Sequence, residues 1–223
     1  MTIILMLTMF AIFLTIDYFM KKGKVTVERA VSTAVAASAA PILPTFVAGF
    51  DLPANRNYHQ GHTWALQESP TLVRVGLDDF GARLAGKVDG IILPKRGQWI
   101  RQGQKFATLL RDGQKTDLVS PVEGEVTNVN DALLLNSSLT NTDPYGAGWF
   151  VSVVSPDLQT NFRNLLNGSL ARKWMAEAAS RLQMRMPQLA GAVAQDGGVA
   201  VHDLTVQLPT EKWGEITREF FLT

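Results

Sequence analysis

LLRDGQKTDLVSPVEGEV, residues 109–126, is the stretch from which the rest of the chain is best read. KFATLLR (105–111) and TDLVSP (116–121) read as strands on either side of Asp112-Gly113. That dipeptide closes two-residue hairpins, because both central positions of a type I′ turn need positive φ. Ser120-Pro121 and then Gly124 make a tight corner after the second strand. Lys115 lies just past the turn. An exposed amine there either carries a covalently attached group or is simply solvated, where it also discourages edge pairing.

On either side of this hairpin, TLVRVGL, DGIILP, GEVTNV and GWFVSVV are again short, partly alternating and bounded by Gly or Pro, the pattern of strands rather than helices. Between the first two, DDFGARLAG forms one or two helical turns with Asp78 as the cap. Val88-Asp89-Gly90 and Val122-Glu123-Gly124 echo one another across the hairpin, which suits a small quasi-symmetric sandwich. After the last strand the period lengthens. Ser155-Pro156-Asp157 reads as a cap with Pro at the first helical position, and Leu158, Phe162, Leu165 and Leu166 fall on one face before Asn167-Gly168. A second helix runs from about Ser169 to Met186 with Leu170, Trp174, Ala178 and Leu182 at i+4 steps. In LPTEKWGEITREFF, Trp213, Ile216 and Phe220 make one apolar face, with Phe221 beside it. Faces of this kind form core or dock partners, and these four residues are the candidates for a partner-docking face.

The other end is different in character. TIILMLTMFAIFLTIDYFM, Thr2–Met20, carries Asp17 as its only charge. As a helix it reaches roughly 28 Å, about a bilayer's hydrocarbon thickness. Lys21, Lys22 and Lys24 follow at once, which favours a single-pass anchor with the body on the cytoplasmic side of a bacterial membrane. A signal peptide would carry its charges before the apolar run, not after it. Residues 25–57, Ala-rich and broken by Pro41, Pro44 and Pro53, read as a spacer, with a second membrane contact at Ile42–Phe50 as an option. The domain plan is thus an anchor at 1–24, a spacer at 25–57, a β domain at 58–156 and a helical extension at 157–223.

Composition removes several classes of function. The 223 residues carry 21 Lys+Arg against 20 Asp+Glu, which gives no concentrated basic face for nucleic acid. With no Cys there is no disulfide, thiolate catalysis, iron–sulfur cluster or cysteine zinc site. His59 and His62 form H-x-x-H but lack evident further ligands, and Asp78-Asp79 reads as a cap rather than a catalytic pair. No phosphate loop, dinucleotide fingerprint or nucleophile elbow occurs.

Five segments together resemble the H protein of the glycine cleavage system, in family order. GHTWALQE is similar to the family's opening HEW segment, and TLVRVGLDDFGARLAG to V-G-I-T-x-x-A-x-x-x-L-G. IILPKRGQWIRQGQKF resembles L-P-x-x-G…G, and SPVEGEVTNVNDAL resembles S-P-[VI]-x-G-x-V-x-x-x-N-x-x-L. LTNTDPYGAGWFVSV is similar to N-x-x-P-Y-x-x-G-W. The resemblance implies a mainly β barrel-sandwich hybrid and a lipoyl group on a lysine at a hairpin tip, four residues before the Asp that precedes x-x-S-P. Here that Asp is Asp117, and four residues back stands Gly113. The acidic residue usual three before the lysine is Leu110, and Lys115 comes two positions late. The expectation is a membrane-anchored, non-catalytic H protein-like adaptor without cofactor, serving protein partners in a membrane-associated complex, redox or respiratory in character. The alternative is a tethered lipoyl carrier modified at Lys115.

Overall fold

The computed structural model describes residues 46–186, 203–204 and 210–223. Among these, no helix is long and apolar enough to cross a bilayer. The apolar run Thr2–Met20 and most of the segment read as a spacer lie outside them.

All six stretches read as strands are strands, joined by shorter ones. A small β1 (Phe46–Val47) and β2 (Phe50–Asp51) pair with each other. β3 (Asn57–Tyr58), β4 (Thr63–Gln67), β5 (Leu72–Leu77), β11 (Trp149–Val154), β10 (Gly124–Val129) and β7 (Trp99–Ile100) form a six-stranded sheet in that spatial order. β6 (Gly90–Ile92), β8 (Lys105–Arg111) and β9 (Gln114–Val119) form a three-stranded sheet. Apart from the β1–β2 pair there are two sheets, as the sequence leads one to expect, but they are unequal, so the echo around the hairpin does not extend to matching halves. The inward rows meet in one core that includes Trp64, Val75, Leu109, Leu118, Val126 and Phe150, all fully buried. Gly124 allows β10 to approach β11: at φ 155° a Cβ there would collide with the Val154 carbonyl oxygen.

Helix α1 (Asp79–Ala85) is capped by Asp78, whose carboxylate accepts from the Gly81 N–H at 2.7 Å. α2 (Asp131–Leu135) is capped by Asn130, and α3 (Leu139–Thr142) follows it. α4 (Leu158–Arg163) begins later than its sequence suggests. The Ser155 N–H still donates to the Thr71 carbonyl at 2.9 Å, so the chain has not left the sheet there, and Asp157 is the cap. α5 (Gly168–Arg185) buries Ala171, Trp174, Met175, Ala178 and Leu182, while Leu170 falls off that face and is exposed. α6 (Thr210–Phe221) ends two residues before the chain does.

The end of the segment read as a spacer belongs to the body. Phe50 and Leu52 are buried, and Phe50 packs on Phe80 with ring centroids 4.9 Å apart. The Asp51 N–H donates to Asp79 Oδ2 at 2.9 Å, and the Tyr145 hydroxyl donates to the Asp51 carbonyl at 2.8 Å. Phe50 is therefore in the core and not available for a membrane contact.

Candidate functional site

The β8–β9 hairpin is where a carried group would be attached. Its register pairs Thr108 with Asp117, Leu109 with Thr116, Leu110 with Lys115 and Arg111 with Gln114. Asp112 and Gly113 form the turn, at φ 49° and 75°, the left-handed pair that a type I′ turn requires. Nothing lies within 4 Å of where a Gly113 Cβ would be, so the apex opens to solvent.

Lys115 is exposed, but it belongs to the ladder and not to the turn. Two residues from the apex put it about 7 Å down the strand. It shares the outer face with Asp117, whose carboxylate accepts from Lys105 Nζ at 2.9 Å and from Thr108 Oγ1 at 2.7 Å. Burial alone would raise the Asp117 pKa. The Thr108 and Lys105 hydrogen bonds, with the charges of Lys105 and Arg218, outweigh that and hold it below the ordinary carboxylate value.

The tip is tied down from several directions, a feature the sequence did not reveal. Asp89 Oδ2 accepts the Asp112 N–H at 2.7 Å, and the Asp89 N–H donates to the Leu110 carbonyl at 2.8 Å. The Arg111 guanidinium donates to the Ala85 carbonyl at 3.0 Å and comes within 3.8 Å of Asp203. Trp213 Nε1 donates to the same Ala85 carbonyl at 3.0 Å. These partners are far apart in sequence, so only the loop after α1 and the placement of α6 bring them together.

The proposed docking residues lie elsewhere than expected. Trp213, Ile216, Phe220 and Phe221 are all buried in this chain's own body, where α6 packs on β9 and α1. Gly214 sits so close to Gln114 Oε1 that a Cβ would not fit without displacing it. The apolar face is filled intramolecularly: Phe220 packs on Phe80 of α1, with ring centroids 5.3 Å apart. It is not a free surface for a partner.

The two histidines do not meet a common ligand. His59 Nδ1 accepts the Gly61 N–H at 3.0 Å, and burial, with His62 nearby, pushes its pKa down. His62 is fully buried at φ 63°, with Nδ1 2.9 Å from Asp78 Oδ2. Its ring stacks on Phe80 at 4.2 Å and lies 4.7 Å from Trp174 and 6.2 Å from Phe220. Nε2 has no hydrogen-bond partner. A His–Asp pair closed in by three aromatic rings cannot reach a substrate; it joins β4, α1, α5 and α6. Among the described residues no group of three or more His, Cys, Asp or Glu is placed to hold a metal ion.

Comparison with known proteins agrees with the motif order. The chain is 34% identical over 130 residues to the glycine cleavage system H protein of Mycobacterium avium, covering 57% of this chain and 98% of that one. It is 39% identical over 104 residues to a probable glycine cleavage system H protein of Natronomonas pharaonis, covering 47% of this chain and 82% of that one. The crystal structure of the H protein from Mycobacterium marinum aligns with a TM-score of 0.49 at 27% identity, over 56% of this chain and 98% of that one. The family match itself runs over residues 56–178, from just before β3 into the middle of α5, and leaves α6 outside. With the hairpin, the Ser-Pro corner and the Tyr-Gly-x-Gly-Trp segment all inside that match, the chain belongs to the glycine cleavage H-protein family.

Proposed function

We propose that this chain is a non-catalytic, membrane-anchored member of the H-protein family that acts as an adaptor between protein subunits and not as a lipoyl carrier. The observation that carries the reading is the hairpin tip. The position four residues before Asp117 is Gly113, in a closed turn, and the turn is held by Asp89 and by Arg111 on Ala85. A lipoyl group joined through an amide needs a lysine amine, and the apex offers none, so the residues at that position do not fit the group. The mainly β H-protein-like fold around the tip is kept, which suits a domain whose work is to present a surface. Membrane attachment rests on Thr2–Met20 and the lysines after it, and the bacterial cytoplasmic face rests on those same lysines. Such an anchor suits a membrane-associated complex, redox or respiratory in character, whose electron carriers sit on other chains.

One observation favours a second reading, a tethered carrier modified at Lys115: its side chain is exposed on the outer face of the hairpin. Peptide mass spectrometry on the protein from its native membranes separates the two, with co-purifying chains identified from the same mild-detergent preparation. An unmodified Lys115 with stoichiometric partners is the expected result. A lipoyl mass on the Lys115 peptide, or a chain that stays partnerless, overturns the adaptor reading.

A further inference from the structure

Neighbouring parts of the body, β6, β7 and α2, expose apolar side chains that pack on nothing among the described residues. Leu135 is 90% exposed, Ile92 51%, Trp99 49% and Leu134 49%. The Asn130 side chain caps α2 and donates to the Ala147 and Trp149 carbonyls at 2.8 and 2.6 Å, while Leu133 is buried beneath. α2 also packs beside β6, which carries Ile92. Arg96 joins the two halves of the face through an ion pair with Asp131 at 3.5 Å, its guanidinium still largely exposed. Lys95, Gln98 and Arg101 are exposed around Trp99, and Glu125 stands opposite Trp99 in the sheet. Leucine and tryptophan side chains held in water give no folding stability, and a cluster of them marks an interface.

We propose that this face rests on an anionic bilayer surface, with Trp99, Leu134, Leu135 and Ile92 entering the headgroup region and Lys95, Arg96 and Arg101 facing lipid phosphates. The inference rests on the membrane-anchored reading above and names the surface that the anchored body presents. Trp among Leu and Ile, rimmed by long cationic side chains, is the chemistry of the membrane–water interface. Geometry also places a bilayer in reach. The apolar run ends at Met20 and the described body begins at Phe46, so Lys21–Thr45 is all that separates them. That segment spans at most about 85 Å even fully extended. A tether of this length keeps the local concentration of membrane high, so a weak contact of about 1 kcal/mol per cation is enough to orient the body.

The chain has no Cys, so one introduced thiol gives a unique label. The full-length chain carrying Leu135→Cys, labelled with an environment-sensitive fluorophore, is reconstituted into phosphatidylcholine vesicles with or without phosphatidylglycerol. Met184→Cys, on α5 and exposed, is the control. Flotation after alkaline carbonate reports insertion independently of the label, and thermal melts confirm folding. The expected result is a blue shift at position 135 but not at 184, larger with phosphatidylglycerol. High salt or Lys95→Glu with Arg96→Glu should reduce it at least twofold. A chain that floats while position 135 behaves like 184 overturns this inference and leaves the anchor standing. A chain that does not float overturns the anchor, and this inference with it. A label silent in lipid vesicles but shifted in native membranes overturns the lipid assignment and gives the face to a protein partner.

Discussion

Replacing Trp213 with Ala tests whether α6 is part of the folded body. The indole is buried, and its Nε1 donates to the Ala85 carbonyl at 3.0 Å. Losing a buried Trp to Ala costs about 3–5 kcal/mol, from lost transfer energy and the cavity left behind. For a chain of this size 1 kcal/mol corresponds to about 2–4 °C, so Tm should fall by on the order of 10 °C. Trp213→Phe separates packing from hydrogen bonding. It keeps most of the apolar volume and removes the N–H donor, while Ala85 keeps the Arg111 guanidinium at 3.0 Å. Its cost should therefore stay near 1 kcal/mol. The assay is urea unfolding of the full-length chain in mild detergent, followed by circular dichroism, with amide exchange on β9 as a local readout. If Trp213→Ala unfolds within about 1 kcal/mol of the parent and the Gln114 and Thr116 amides stay protected, α6 is not docked there and the burial argument is wrong.

Other expectations follow from single contacts. Gly124→Ala should cost about 3 kcal/mol or prevent folding, because that φ is nearly Gly-only and a Cβ meets the Val154 carbonyl. Gly103→Ala, at φ 74° in open space, should cost only about 1 kcal/mol, and equal melting losses for the two would refute the contact. His62→Ala removes a fully buried ring stacked on Phe80 and one hydrogen-bond partner of Asp78, and should cost about 3–5 kcal/mol in the same urea assay; a near-neutral result would remove the His–Asp pair as a structural joint. In acid the folded chain binds the His59 proton less readily than the unfolded chain does, so stability should decline below about pH 6.5 and level off beneath the folded value. The lowered Asp117 carboxyl adds stability that is present above about pH 3.9 and lost as pH falls through its folded value. Melting profiles across that range should lose the first step in His59→Gln and keep the second. Gly113→Lys places an amine in open space at the apex for about 1 kcal/mol of left-handed strain, and lipoate ligase in vitro should modify it while leaving Lys115 untouched. Modification of Lys115 in the parent chain would refute the register argument.

The linear sequence specified the parts governed by neighbours along the chain. The Asp112-Gly113 turn, the alternating strands, the Asp78 cap and the Ser-Pro corner all depend on backbone preferences and on a period of two, which a sequence displays directly. The same locality made Gly113 visible at the position where the family resemblance implies a lysine. Tertiary structure alone decided where each apolar stripe went. Trp213, Ile216, Phe220 and Phe221 show helical periodicity in the sequence, but periodicity says only that a face is apolar, not what covers it. β9 and α1, some hundred residues earlier, are what cover it. The clamp on the hairpin tip was invisible for a similar reason, since Asp89, Ala85, Arg111 and Trp213 have no common spacing and meet only after the sheets have formed. Leu134 and Leu135 show the converse. Nothing in DALLL sets them apart from Leu133, and it is the packing of Leu133 beneath the Asn130 cap that leaves the next two in solvent.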